Sequence, residues 1–160
     1  MLSSLYPEAK FIFITRNPID VVAAHLVKRI WKLAGKGANV EPSQLKALRE
    51  ECDFSIQNAA ELWAKQNSYF IEFSNKNSHI SLITRYEDLI TELNEFENIF
   101  KWLNVKYESK NIKNILEMKE GRGESKINKQ KSRDILTSDD MDIIRKITQE
   151  ISVIFHYPEF

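Results

Sequence analysis

One cysteine, four glycines and four prolines are spread over 160 residues. Cys52 alone cannot close an internal disulfide, so nothing requires an oxidising compartment, and a cytoplasmic setting is expected. So little glycine and proline leaves no obvious interdomain linker, and the length supports one domain. Excess charge is missing too. The 23 Lys+Arg meet 23 Asp+Glu, which removes the bulk electrostatic argument for binding nucleic acid or a membrane surface and leaves only local basic loops. No apolar stretch approaches the roughly 18 residues that span a bilayer. No basic segment followed by an apolar one marks a signal peptide. The chain has no internal repeat and no Gly-x-x-x-x-Gly-Lys loop. Its three histidines, His25, His79 and His156, lack zinc-ligand spacing, and a packed or exposed structural role is expected for each.

What is present is a good supply of core material. Hydrophobic residues make up 42% of the chain and aromatics 11%, which argues against wholesale disorder. Phe11-Ile12-Phe13-Ile14 is short, aromatic and β-branched, and reads as a strand buried on both faces. Asn17, Pro18 and Asp20 then supply a helix N-cap, a first-turn proline and a first-turn carboxylate. The apolar positions Val21, Val22, Ala24, Leu26, Ile30 and Leu33 carry that helix to Gly35-Lys36-Gly37.

Pro42 and Ser43 start a short helix over 42–51. A longer one over 54–75 bears Ile56, Ala60, Trp63, Phe70 and Phe73 as a core-facing stripe. His79 to Arg85 reads as a second buried strand. Phe96, Ile99, Phe100 and Leu103 mark a further helix, and Ile112, Ile115, Leu116 and Lys119 another. A basic loop spans Lys119 to Arg133. The last helix begins near Thr137 or Ser138, whose hydroxyls can cap the Asp139-Asp140 turn, with Met141, Ile144, Ile147, Ile151 and Phe155 as its stripe. Strands separated by long helical connections imply a parallel α/β sheet. Two strands alone make a poor sheet, so either another chain completes it or the sequence is the C-terminal portion of a larger domain. The second is preferred.

Two residues stand where such folds bind ligands. Arg16 follows the first strand and precedes a capped helix start. Ligands of open α/β sheets sit at the carboxyl ends of strands, where helix N-termini favour anions and an arginine adds a bidentate fork. Pairing of Arg16 with a local carboxylate such as Asp20 is the competing reading. Tyr86 leaves the second strand on the same edge if the strands are parallel, to stack on a base or to wedge the next helix against the sheet. Glu87 and Asp88 are placed to cap that helix.

In order along the chain, these residues resemble the sulfotransferases that use 3′-phosphoadenosine 5′-phosphosulfate (PAPS). The segment Lys10-Phe-Ile-Phe-Ile-Thr-Arg16-Asn17-Pro18-Ile-Asp20-Val-Val is similar to that family's 3′-phosphate-binding segment. Tyr86-Glu87-Asp88-Leu89 is similar to its later Tyr-Glu-Asp-Leu. Trp63 falls where the family often has a tryptophan, and Val153-Ile-Phe-His-Tyr157 resembles its closing helix. The resemblance implies a partial P-loop-like three-layer α/β fold, with few parallel strands and several flanking helices, and sulfuryl transfer from PAPS to an acceptor hydroxyl or amine. It implies no metal.

By the same resemblance, Arg16 holds the 3′-phosphate and Tyr86 contacts the adenine. Lys126 and Lys129, in the loop Gly121-Arg-Gly-Glu-Ser-Lys126-Ile-Asn-Lys129-Gln-Lys131-Ser-Arg133, stand where the family closes over that phosphate. A solvated basic loop is the plainer reading of that segment. Two departures stand out. Ala24 replaces the family's phosphate-binding serine, and no Pro-Lys-Ser/Thr-Gly loop or matching catalytic base occurs in these residues, so an impaired fragment is expected. A non-catalytic α/β interaction protein and another nucleotide-binding transferase are the rival readings. The segment between Lys32 and Cys52 is a candidate lid, and the acceptor is not legible.

Overall fold

In the computed structural model, which describes residues 8–35, 40, 42–108, 110–112, 114 and 133–157, both expected strands form and pair in parallel. Strand β1 is Phe11–Thr15 and β2 is Ser81–Arg85. Register runs from Phe11 opposite Ser81 to Thr15 opposite Arg85. Helices α1 (Pro18–Ala34), α2 (Pro42–Glu50) and α3 (Ile56–Lys76) lie between them in sequence, and α4 (Tyr86–Thr91), α5 (Leu93–Leu103) and α6 (Ser138–Ile154) follow. This is the mixed α/β arrangement the sequence implies, with a two-stranded parallel sheet among the described residues. The chain divides into two compact units, one drawn from Met1–Arg16 and Asn67–Arg122, the other from Asn17–Gln66 and Gly123–Phe160.

The first unit is built around the sheet. Strand alternation puts Phe11 and Phe13 on one face, where they meet aromatic residues of α3. Phe13 stacks on Phe70 with ring centres 4.5 Å apart, and Phe11 meets Phe73 edge-on at 5.1 Å. The other face differs from expectation: Ile14 is 54% exposed. A strand is buried on both faces only when layers cover both, and the described residues cover the phenylalanine face. The second strand also starts later than the sequence suggests. His79 lies exposed in a turn, because the Ile80 amide donates to the Asn77 carbonyl and the Ser81 hydroxyl donates to the same oxygen at 2.7 Å. Lys10, just before β1, donates to the Trp102 carbonyl and stands 4.9 Å from the centre of that indole.

The second unit is helical. Ile19, Val22, Leu26 and Ile30 of α1 form its centre with Leu45 of α2, Ile56 and Ala60 of α3, and Ile144 of α6. Full burial of each large aliphatic side chain contributes on the order of 1.5–3 kcal/mol. Gly35 ends α1 in the left-handed region, φ 64°, as expected of a glycine C-cap. The segment expected as a candidate lid carries α2, whose Leu45 is buried in this core and whose Arg49 pairs with Asp140.

Helix α6 has a reciprocal cap. The Asp140 amide donates to Thr137 Oγ1 at 3.2 Å and the Thr137 amide to Asp140 Oδ2 at 2.8 Å. Such a capping box is worth about 1 kcal/mol. Trp63 and Tyr157, both nearly buried, approach edge-on at 6.4 Å. The helix expected over 112–119 falls mostly outside the described residues; Ile112 itself is buried. No helix among the described residues is long and apolar enough to cross a membrane.

Candidate functional site

Parallel pairing decides where Arg16 and Tyr86 go. Thr15 and Arg85 are register partners at the end of the ladder, so the next residue of each strand emerges at the same carboxyl edge. The Arg16 guanidinium lies over the Tyr86 ring, with its carbon 5.1 Å from the ring centre. That is cation–π range. Both side chains are half-buried, and both belong to the first unit.

The residues flanking Tyr86 are tied on each side. The Thr84 hydroxyl donates to Glu95 Oε1 of α5 at 2.6 Å. Arg85 donates through Nε to Asp88 Oδ2 at 2.7 Å and through Nη2 to Asp88 Oδ1 at 2.5 Å. This corrects the expectation for Asp88. The N-cap of α4 is Arg85, and the helix has no side-chain cap hydrogen bond, because the Asp88 carboxylate faces a two-pronged donor that competes better than a backbone amide. The sequence signal for this fork is an arginine three residues before an aspartate at a strand–helix junction.

In the second unit the start of α1 follows its sequence. Asn17 Oδ1 accepts from the Ile19 amide at 2.9 Å, with Pro18 at the first helical position. Asp20, whose side chain is 5% exposed, accepts from Arg133 Nε at 2.6 Å. No local pattern points to that partner, 113 residues away. Ala24 is half-buried on α1, and His25 and His156 are exposed. Lys126, Lys129 and the rest of the basic loop before Arg133 lie outside the described residues.

A cleft of about 360 Å³ opens in the same unit, lined by Arg29, Lys32, Leu33, Glu51, Cys52 and Asp53. Burial pushes the Cys52 thiol above its ordinary pKa; Arg29 opposes this and Asp53 adds to it. A thiol held protonated is a poor nucleophile. Among the described residues no group of three or more His, Cys, Asp and Glu side chains is arranged to hold a metal ion.

What these elements can do chemically is hold an anion beside an aromatic ring, at the edge where open α/β sheets bind ligands. Comparison with protein-family models matches residues 1–109 to the sulfotransferase family. The match takes in Arg16 and Tyr86 and ends before Lys126 and Lys129. Comparisons with curated proteins and with solved structures return no match. With well over half of its residues matched, the chain belongs to the sulfotransferase family, and its general function is sulfotransfer.

Proposed function

We propose that the donor is PAPS and that the first unit holds its adenosine 3′-phosphate end. The observation that carries this reading is the Arg16 guanidinium 5.1 Å above the Tyr86 ring at the carboxyl edge of two parallel strands. A phosphorylated adenine nucleotide needs both kinds of group close together: a charged fork for the phosphate and a π face or edge for the base. Arg16 would hold the 3′-phosphate and Tyr86 would contact the adenine. The nucleotide would supply an activated sulfuryl group for in-line transfer to an acceptor hydroxyl or amine. Such chemistry rests on positioning and on charge stabilisation.

Lys126 and Lys129 belong to this reading as further phosphate contacts, and a cytoplasmic setting suits a chain whose one cysteine forms no internal disulfide. Nothing in these 160 residues matches the family's phosphosulfate loop or its catalytic base. The chain by itself therefore binds nucleotide better than it transfers sulfate.

A thermal-shift comparison of adenosine 3′,5′-bisphosphate with ADP tests the reading. Stabilisation by the bisphosphate alone is the expected result. Equal stabilisation by ADP favours another nucleotide-binding transferase, and no stabilisation by either favours a non-catalytic role. Measurable sulfate transfer from PAPS by this polypeptide would refute the impairment.

A further inference from the structure

Tyr86 is the first residue of α4, and the two residues before it and the one two places after it are fixed by side-chain bonds. Thr84 is tied to α5 through Glu95 at 2.6 Å. Arg85 reaches past Tyr86 to grip both oxygens of Asp88, at 2.7 and 2.5 Å. The fork thus closes a short ring of chain with Tyr86 inside it. The arginine side chain is 32% exposed and the aspartate 26%, so solvent screens the pair and its contribution to global stability is small. Its geometry is another matter. Two parallel hydrogen bonds between planar groups fix direction as well as distance. α4 has no side-chain cap hydrogen bond at its start, and the fork ties the strand-to-helix turn across Tyr86.

We propose that Arg85 and Asp88 are positioning residues that hold the Tyr86 ring in place beneath the Arg16 guanidinium, and thereby preorganise the nucleotide-binding edge. Ordering a ring before the ligand arrives removes an entropic cost from binding. The nucleotide part of this inference rests on the function proposed above; the ring-positioning part does not.

The test uses the full chain and two readouts. Without ligand, the ring current of Tyr86 is expected to displace the NMR resonances of the Arg16 δ-methylene protons. The difference between wild type and Tyr86→Leu sets the full displacement. Asp88→Asn, which keeps the shape and removes the charge, is expected to lose most of it, and Asp88→Glu to recover it. A folded Asp88→Asn protein that keeps the displacement overturns the proposal. Should Asp88→Asn fail to fold, Arg85→Lys is read in the same way, because lysine keeps the charge but cannot form the fork.

With ligand, the Kd for adenosine 3′,5′-bisphosphate is expected to rise about fivefold in Asp88→Asn and to return in Asp88→Glu. An unchanged Kd in Asp88→Asn overturns the positioning role. If the wild type does not bind the nucleotide while the resonances behave as expected, the nucleotide reading falls and the role of the fork stands.

Discussion

Asp20, in the first turn of α1 and almost wholly out of solvent, accepts a 2.6 Å hydrogen bond from Arg133, 113 residues further along the chain. Burying a carboxylate, here with 5% of its side chain exposed, is costly unless it is hydrogen-bonded, and Arg133 supplies a donor. The bond also fastens the residue that ends the basic segment to the helix whose N-terminus Asn17 caps.

Arg133→Gln leaves the Asp20 carboxylate buried beside a weaker donor. The expected loss is about 1–3 kcal/mol of unfolding free energy, below the figure for a fully buried pair because the arginine is partly exposed. Urea denaturation measures it. A midpoint equal to that of wild type would show that the contact contributes nothing to the fold.

Arg16 and Tyr86 are expected to fail differently. Arg16→Ala removes a charge-assisted contact to phosphate and should weaken adenosine 3′,5′-bisphosphate by about tenfold or more, while adenosine itself is little affected. Tyr86→Leu should weaken both ligands by about fivefold, since stacking acts on the base. Isothermal titration with the two ligands distinguishes the losses. Identical profiles for the two variants would contradict the assigned roles.

Cys52 should alkylate slowly at neutral pH. Burial raises its pKa, so the thiolate fraction at pH 7 falls below that of an ordinary thiol. The iodoacetamide rate should climb with pH to a midpoint above the usual value near 8.5. The linkage follows the same sign: the folded state holds the proton more tightly. The resulting stabilisation is complete below the unfolded thiol pKa and is lost as pH rises from there through the folded one. A rate profile centred at or below the ordinary thiol pKa would rule out the burial effect.

Much of this was legible because it is local. Asn17-Pro18 and the Thr137–Asp140 box are helix starts written within four residues, and both caps form as their side-chain chemistry requires. The stripe on α3 was legible from helical periodicity, although its members serve two units: Ile56 and Ala60 join the aliphatic core, while Phe70 and Phe73 meet the strand phenylalanines. Periodicity tells which face of a helix is apolar and is silent about what it meets. Ile14 shows the converse limit. Its apolar neighbours argue for two covered faces, yet coverage depends on which layers pack there, and the residue is 54% exposed.

Residue order alone determined that Arg16 and Tyr86 each stand at a strand-to-helix junction, Arg16 between β1 and the Asn17 cap and Tyr86 directly after β2, because strand runs, a proline and caps act over a few positions. Only the tertiary structure decided that the two meet. Their separation in space follows from parallel pairing in one register, with Thr15 opposite Arg85; a one-residue slip would send the side chains to opposite faces. The partners of Asp20 and Asp140 were likewise decided by folding, since an ion pair between distant residues leaves no periodic trace in the chain.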